Sequence, residues 1–167
     1  MKPLLSLILL VTLASPALAE TKLSDIENLP LMTDNGAISL KSMRGKTVYL
    51  DFWASWCAPC RKSFPWMNEM HGKYKHKGLV IVAVNVDNKK SDAMQFLSRI
   101  PTEFTIAYDP EEKLASSIGL KAMPSSFIIG PDGTIIDRHI GFREKMIPEY
   151  EESIRSALGL EAGAAGP

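Results

Sequence analysis

The segment that most constrains the fold is a hydrophobic run that leads directly into a pair of cysteines. Residues 47–53 (Thr-Val-Tyr-Leu-Asp-Phe-Trp) are mostly β-branched, aromatic or aliphatic, and the run is nearly continuous rather than alternating. Such a run is typical of a central strand that is covered on both faces of its sheet. Cys57 and Cys60, the only cysteines of the chain, follow and open a segment of helical character. The sequence therefore predicts a buried strand that delivers two thiols to the start of a helix.

The rest of the pattern alternates strands and helices around this segment. An Asp34-Asn35-Gly36 turn predicts a hairpin over 31–40, ahead of the first long strand. Further strands are predicted at 79–86, 104–108, 127–129 and 134–136. Helices are predicted at about 58–74, 91–99, 111–118 and 144–158. This order predicts an α/β fold: a mixed central sheet with helices on both faces and an N-terminal β-hairpin extension.

The first residues have the composition of a secretory signal peptide. Lys2 gives a positive start, 4–13 is an apolar run, and 15–19 ends in the small-x-small pattern that a signal peptidase cuts. The apolar run is about half of the roughly 20 residues that a membrane-spanning helix needs, which favours cleavage over a retained anchor. We therefore predict cleavage after Ala19 and export of the protein.

The predicted organisation is a cleaved signal peptide at 1–19, one domain at 20–158 and a disordered, Gly/Ala-rich tail at 159–167. The chain has 19 basic and 19 acidic residues and no block of Lys or Arg. It therefore lacks the electrostatic pattern of a protein that binds nucleic acid or an anionic membrane. We expect a monomer in the periplasm or another extracytoplasmic space, where oxidising conditions permit disulfides.

The spacing of Cys57 and Cys60 suits a reversible disulfide. Residues i and i+3 lie on one face of a helix, about 5–6 Å apart at Cβ, which is close enough to form the bridge. A helix N-terminus presents unpaired amides and the positive end of the helix dipole, and both favour a thiolate. Pro59 is compatible with this position because a first-turn proline gives up an amide that has no partner within the helix. The pair therefore indicates redox chemistry.

Other uses of two cysteines are less compatible with the sequence. A structural disulfide across so short a loop would remove little entropy from the unfolded chain. Zinc would need two more ligands, and the three histidines have no paired spacing that clearly supplies them. Covalent haem attachment would need a histidine where the chain has Arg61. We therefore predict no metal and no dissociable cofactor.

These motifs resemble the thioredoxin superfamily, and especially its exported proteins of the TlpA/ResA type. The most specific part is 51–62 (Asp-Phe-Trp-Ala-Ser-Trp-Cys-Ala-Pro-Cys-Arg-Lys), and Pro65 matches the proline that kinks the family's active-site helix. Met123-Pro124, followed by a predicted strand, is similar to the family's cis-proline loop. The resemblance covers about 31–158 and implies a thioredoxin fold and a thiol–disulfide oxidoreductase.

The resemblance also implies a role for each site residue. Cys57 would be the exposed nucleophile that attacks a substrate disulfide, and Cys60 would be the buried thiol that resolves the mixed disulfide. Pro124, in cis, would present the Met123 backbone to the substrate chain. The substrate-binding residues would be Trp56, Pro59 and Met123.

Asp51 is the candidate proton partner of the cysteine pair. At this position thioredoxin-like proteins hold a buried carboxylate, and burial would raise the pKa of Asp51. Many TlpA/ResA-type proteins carry a glutamate three residues after the second cysteine, where this chain has Ser63. We therefore hypothesise that Asp51 exchanges a proton with Cys60. The alternative is an aspartate at a strand edge with its carboxylate in water.

The TlpA/ResA resemblance implies a reductant that a membrane thiol carrier keeps reduced. Its substrates would be exported proteins, as in cytochrome c maturation or copper-centre assembly. The alternatives are a disulfide oxidant or isomerase, and a copper-binding module that uses the two cysteines and a methionine. The eight methionines are scattered, and Met94 lies on a predicted helix face, so core filling explains them better than copper binding.

Overall fold

A seven-stranded mixed sheet is the centre of the computed structural model, which describes residues 26–160. The strands are β1 Leu31–Thr33, β2 Gly36–Ile38, β3 Thr47–Trp53, β4 Leu79–Asn85, β5 Thr105–Tyr108, β6 Ser125–Ile129 and β7 Ile135–Ile140. Their order in the sheet is β2-β1-β5-β4-β3-β6-β7. The neighbours β3, β4 and β5 run parallel, and the remaining pairs are antiparallel.

Four α-helices lie within the described residues: α1 Cys60–Tyr74, α2 Lys90–Arg99, α3 Lys113–Ser117 and α4 Ile147–Ala157. Short 3₁₀ turns cover Leu40–Met43, Lys75–Lys77 and Glu144–Met146. The first helix starts two residues later than predicted, because Pro59 disfavours helical backbone at Ala58. Within residues 26–160, no helix is both long and apolar enough to cross a membrane.

β3 is enclosed on both faces. It lies between β4 and β6, and all seven of its residues are buried. One face carries Tyr49 and Trp53, which make edge-on ring contacts with Trp66 and Phe64 of α1. These contacts, with centroids 5.7 and 4.8 Å apart, fix α1 against the strand that precedes it.

The opposite face of β3 is covered as well. There Phe52 makes an edge-on contact with Phe127 of β6, and the guanidinium of Arg138 on β7 lies over the Phe127 ring. Arg138 also donates a hydrogen bond to the Gly119 carbonyl just after α3, which brings the end of α3 to this side of the sheet. The predicted fold class, a mixed sheet with helices on both faces and an N-terminal hairpin, is confirmed.

One helix position differs from the sequence prediction. Met94 is 58% exposed, so its predicted core position is wrong; α2 buries Ala93 and Phe96 instead. Gly159, with φ +67°, and Leu160 lie in the turn that follows α4, where the Leu160 amide donates to the Arg155 carbonyl. The predicted signal peptide at 1–19 and residues 161–167 of the predicted tail lie outside the described residues.

Candidate active site

The two cysteines meet just beyond the carboxyl end of β3. Their Sγ atoms are bonded at 2.02 Å, with the Cα atoms 5.3 Å apart. Cys57 lies in the turn before α1, where its amide donates to the Ala54 carbonyl, and Cys60 is the first residue of the helix. The i and i+3 spacing therefore closes a disulfide at a helix N-terminus, as the sequence predicts.

The cysteines differ in their access to the surface. A groove of about 450 Å³ is lined by Trp56, Cys57, Ala58 and Pro59 on one side and by Leu120, Lys121, Ala122 and Met123 on the other. Cys57, 4% exposed, lines this groove, whereas Cys60 is 0% exposed and does not. Cys57 is thus less exposed than the resemblance implies, yet of the two cysteines it is the one that lines the groove.

The Met123–Pro124 peptide bond is cis, as the resemblance implies. It leads directly into β6, whose Ser125 pairs with Phe52 near the end of β3. This pairing places the loop beside the cysteines, so that Met123 lines the groove opposite Cys57. The Pro124 carbonyl accepts a hydrogen bond from the Gly141 amide, at 2.7 Å, which ties the loop to the end of β7.

Asp51 is buried in the middle of β3, with 1% of its surface exposed. Its Oδ1 accepts a hydrogen bond of 2.6 Å from the Ser126 hydroxyl, the cross-strand neighbour on β6. Its Oδ2 has no hydrogen-bond partner within the part of the chain that the structure describes. Burial raises the pKa of Asp51 to about 7, against the opposing effect of the Ser126 hydrogen bond. Asp51 can therefore give or take a proton near neutral pH, and a water-exposed carboxylate is excluded.

Ser63 occupies the position where the TlpA/ResA pattern has a glutamate. Its side chain is buried and its hydroxyl donates to the Cys60 carbonyl at 3.1 Å. A hydroxyl does not ionise in the range in which carboxylates and thiols do. The helix therefore provides no acid at this position, whereas β3 provides Asp51.

Sequence reasoning missed a second buried carboxylate near the cysteines, that of Asp87. It accepts hydrogen bonds from the amide and hydroxyl of Ser55 and from the side chain of Asn85. The order of the predicted strands carries an indication of this contact. Asn85 ends β4 and Asp87 follows it, while the neighbouring strand β3 leads to Ser55. The carboxyl ends of adjacent parallel strands meet at one edge of a sheet, where ligands and catalytic groups often lie.

No group of three or more His, Cys, Asp or Glu side chains within residues 26–160 is arranged to hold a metal ion. Of the three histidines, His139 has identified partners: its Nε2 lies 3.0 Å from Asp137, and its ring packs against Tyr150. These contacts with a carboxylate and an aromatic ring make His139 part of the packing between β7 and α4.

Comparison with known proteins agrees with this geometry. The Redoxin family model matches residues 16–154. The thiol-disulfide oxidoreductase ResA of Bacillus anthracis is 38% identical over 108 residues, which are 65% of this chain and 62% of that protein. The ResA of Bacillus subtilis (strain 168) is 34% identical over 134 residues, 79% of this chain and 75% of the relative. The chain thus spans less than two thirds of the Bacillus anthracis relative.

A solved structure resembles the fold and the sequence together. It is from Chlorobium tepidum and is described as a thiol:disulfide interchange protein, DsbE. It is 49% identical, with a TM-score of 0.77, and the match covers 78% of this chain and 93% of that one. The thioredoxin fold and the resemblance to ResA-type thiol-disulfide oxidoreductases are therefore confirmed.

The buried carboxyl of Asp51 predicts a pH-dependent stability difference for Asp51→Asn. Its pKa rises from 3.8 in the unfolded chain to about 7 in the fold, so ionisation opposes folding. This cost is absent below about pH 3.8, grows as the pH rises, and is complete above about pH 7. We expect Asp51→Asn to gain on the order of 2–4 kcal/mol relative to wild type between pH 4 and pH 8.

Urea unfolding of the oxidised proteins at both pH values measures this gain. Asp92→Asn, which alters an exposed carboxylate in the first turn of α2, is the matched control and should show no comparable change. An Asp51→Asn variant whose stability relative to wild type is the same at pH 4 and pH 8 would show that Asp51 is not desolvated.

Proposed function

The chain belongs to the Redoxin family, and we propose that it is an exported thiol–disulfide oxidoreductase that reduces disulfides in other exported proteins. The observation that carries this proposal is a disulfide at a helix N-terminus whose outer cysteine, Cys57, lines a groove opposite the backbone before cis-Pro124. The names of the ResA and DsbE relatives agree with this chemistry. Support for export to the periplasm comes from the signal-peptide composition of 1–19.

The reaction begins with the reduced pair. The Cys57 thiolate attacks one sulfur of the substrate disulfide, which forms a Cys57–substrate bond and releases the other substrate sulfur as a thiolate. Cys60 then attacks the Cys57 sulfur and expels the second substrate thiolate. Two electrons have passed to the substrate, and the Cys57–Cys60 disulfide is the oxidised product. A dithiol must reduce that disulfide before the next cycle.

Asp51 takes part in the second attack. Cys60 must lose its proton to become a nucleophile, and a buried carboxylate with a pKa of about 7 can accept that proton near neutral pH. Trp56, Pro59 and Met123 bind the substrate chain on the two sides of the groove. The role of Pro124 is to hold the Met123 backbone toward that chain.

The physiological setting follows the TlpA/ResA type. The protein acts as a monomer, and the dithiol that regenerates it is a membrane thiol carrier. Its substrates are exported proteins whose cysteines must be reduced before a haem or a copper ion can bind, as in cytochrome c maturation or copper-centre assembly.

The order of attack predicts which variant accumulates a mixed disulfide. Pre-reduced Cys60→Ser should become covalently linked to one half of a disulfide-linked peptide dimer, because the other half leaves as a free thiolate and no second cysteine resolves the bond to Cys57. Cys57→Ser should trap little, because Cys60 is fully buried. Mass spectrometry without a reducing agent measures both. Equal trapping by the two variants would contradict the assigned order.

The proton role of Asp51 predicts a change in the pH profile. In wild type, the rate at which the mixed disulfide resolves should rise through about pH 7, as Asp51 becomes a carboxylate. In Asp51→Asn this step should slow by about tenfold or more and lose that inflection. Stopped-flow measurement with pre-reduced protein between pH 6 and pH 9 tests this. An unchanged profile would remove Asp51 from the mechanism.

A further inference from the structure

The loop between β3 and α1 is held by a carboxylate that the proposed reaction does not use. Asp87 is 6% exposed and lies two residues beyond the end of β4. Its Oδ2 accepts from the Ser55 amide at 2.9 Å and from the Asn85 side chain at 2.8 Å. Its Oδ1 accepts from the Ser55 hydroxyl at 3.1 Å. The Asp87 amide in turn donates to the Asn85 side-chain oxygen at 3.1 Å.

Ser55 is engaged through all of its polar groups. Asp87 accepts hydrogen bonds from the Ser55 amide and hydroxyl, while Arg61 of α1 donates to the Ser55 carbonyl at 3.4 Å. We refer to Ser55, Arg61, Asn85 and Asp87 as the Ser55 clamp. Hydrogen bonds to a charged acceptor are stronger than those between neutral groups. The clamp therefore fixes the two peptide units that flank Ser55, in the loop between β3 and α1.

The residue after Ser55 is the exposed wall of the groove. Trp56 is 68% exposed and lines the groove next to Cys57. So exposed an indole has few packing contacts of its own to define its direction. The backbone that carries it is held at Ser55, where Asp87 accepts from the amide and Arg61 donates to the carbonyl.

We propose that Asp87 is a positioning residue that holds Trp56 in place as a preformed wall of the substrate groove. This inference rests on the proposed function and adds a residue to it. A preformed wall lowers the entropy lost when a peptide chain enters the groove. A chain that fills the groove should depend on Asp87, whereas a small disulfide that reaches Cys57 without filling the groove should not.

The test compares two disulfides on pre-reduced protein by stopped flow. One is a peptide with an intramolecular disulfide flanked by apolar residues, and the other is 5,5′-dithiobis(2-nitrobenzoate). For Asp87→Asn we expect the half-saturating peptide concentration to rise about fivefold or more, with the maximal rate and the small-disulfide rate within about twofold of wild type. An Asp87→Asn variant with the half-saturating concentration of wild type would overturn the role.

A double-mutant cycle separates positioning from a general loss of structure. Trp56→Ala should raise the half-saturating peptide concentration by itself, and adding Asp87→Asn to it should have no further effect of more than about twofold. Additive effects of the two substitutions would overturn the proposal, because Asp87 would then act without Trp56. The control is Asp92→Asn, which removes an exposed carboxylate of α2.

If Asp87→Asn does not fold, Ser55→Ala tests the positioning role of Asp87 instead. It removes the hydroxyl bond to Asp87 and keeps the amide bond, so we expect a rise of about threefold in the half-saturating peptide concentration, smaller than that of Asp87→Asn. No rise would overturn the proposal. A wild-type protein that reduces neither disulfide would overturn the proposed function itself, which distinguishes that failure from the failure of Asp87 alone.

Discussion

The enclosure of β3 is the constraint on which the site depends. The strand has neighbours on both sides and packed layers on both faces, so each of its side chains is removed from water. For most of the strand this burial is favourable, since the side chains are aromatic or aliphatic. For Asp51 it is costly, and the cost appears as a pKa raised to about 7. The same burial that stabilises the sheet thus produces a group that can transfer protons near neutral pH.

The register between β3 and β6 determines which groups meet at the site. Asp51 pairs with Ser126, and Phe52 with Ser125, the residue directly after cis-Pro124. A shift by one residue would turn the Ser126 hydroxyl to the other face of the sheet and break its hydrogen bond to Asp51. It would also displace the proline loop relative to Cys57. One antiparallel strand pair therefore positions the Asp51 carboxyl and the cis-Pro124 loop relative to the disulfide that follows β3.

The sequence predicts the parts of the site that depend on local spacing. The disulfide follows from the i and i+3 positions of the cysteines, and the burial of Asp51 follows from its place within an apolar run. The cis bond before Pro124 was accessible only through the resemblance, because few X–Pro bonds in folded proteins are cis. Asp87 was missed because its partner Ser55 lies 32 residues earlier, and only the pairing of β3 with β4 brings them together. Met94 was misplaced because helical periodicity alone does not show which side of a helix meets the sheet.

The reduction potential of the Cys57–Cys60 pair tests the central claim most directly. For a two-electron couple, about 30 mV corresponds to roughly 1.4 kcal/mol, so modest differences in thiolate stability decide the direction of exchange. Equilibration of the purified protein with glutathione or dithiothreitol buffers, read by thiol alkylation, gives the value. A protein-disulfide reductant should have a potential near that of thioredoxin, about −270 mV. A value near −120 mV, at the strongly oxidising end of the scale, would contradict the account.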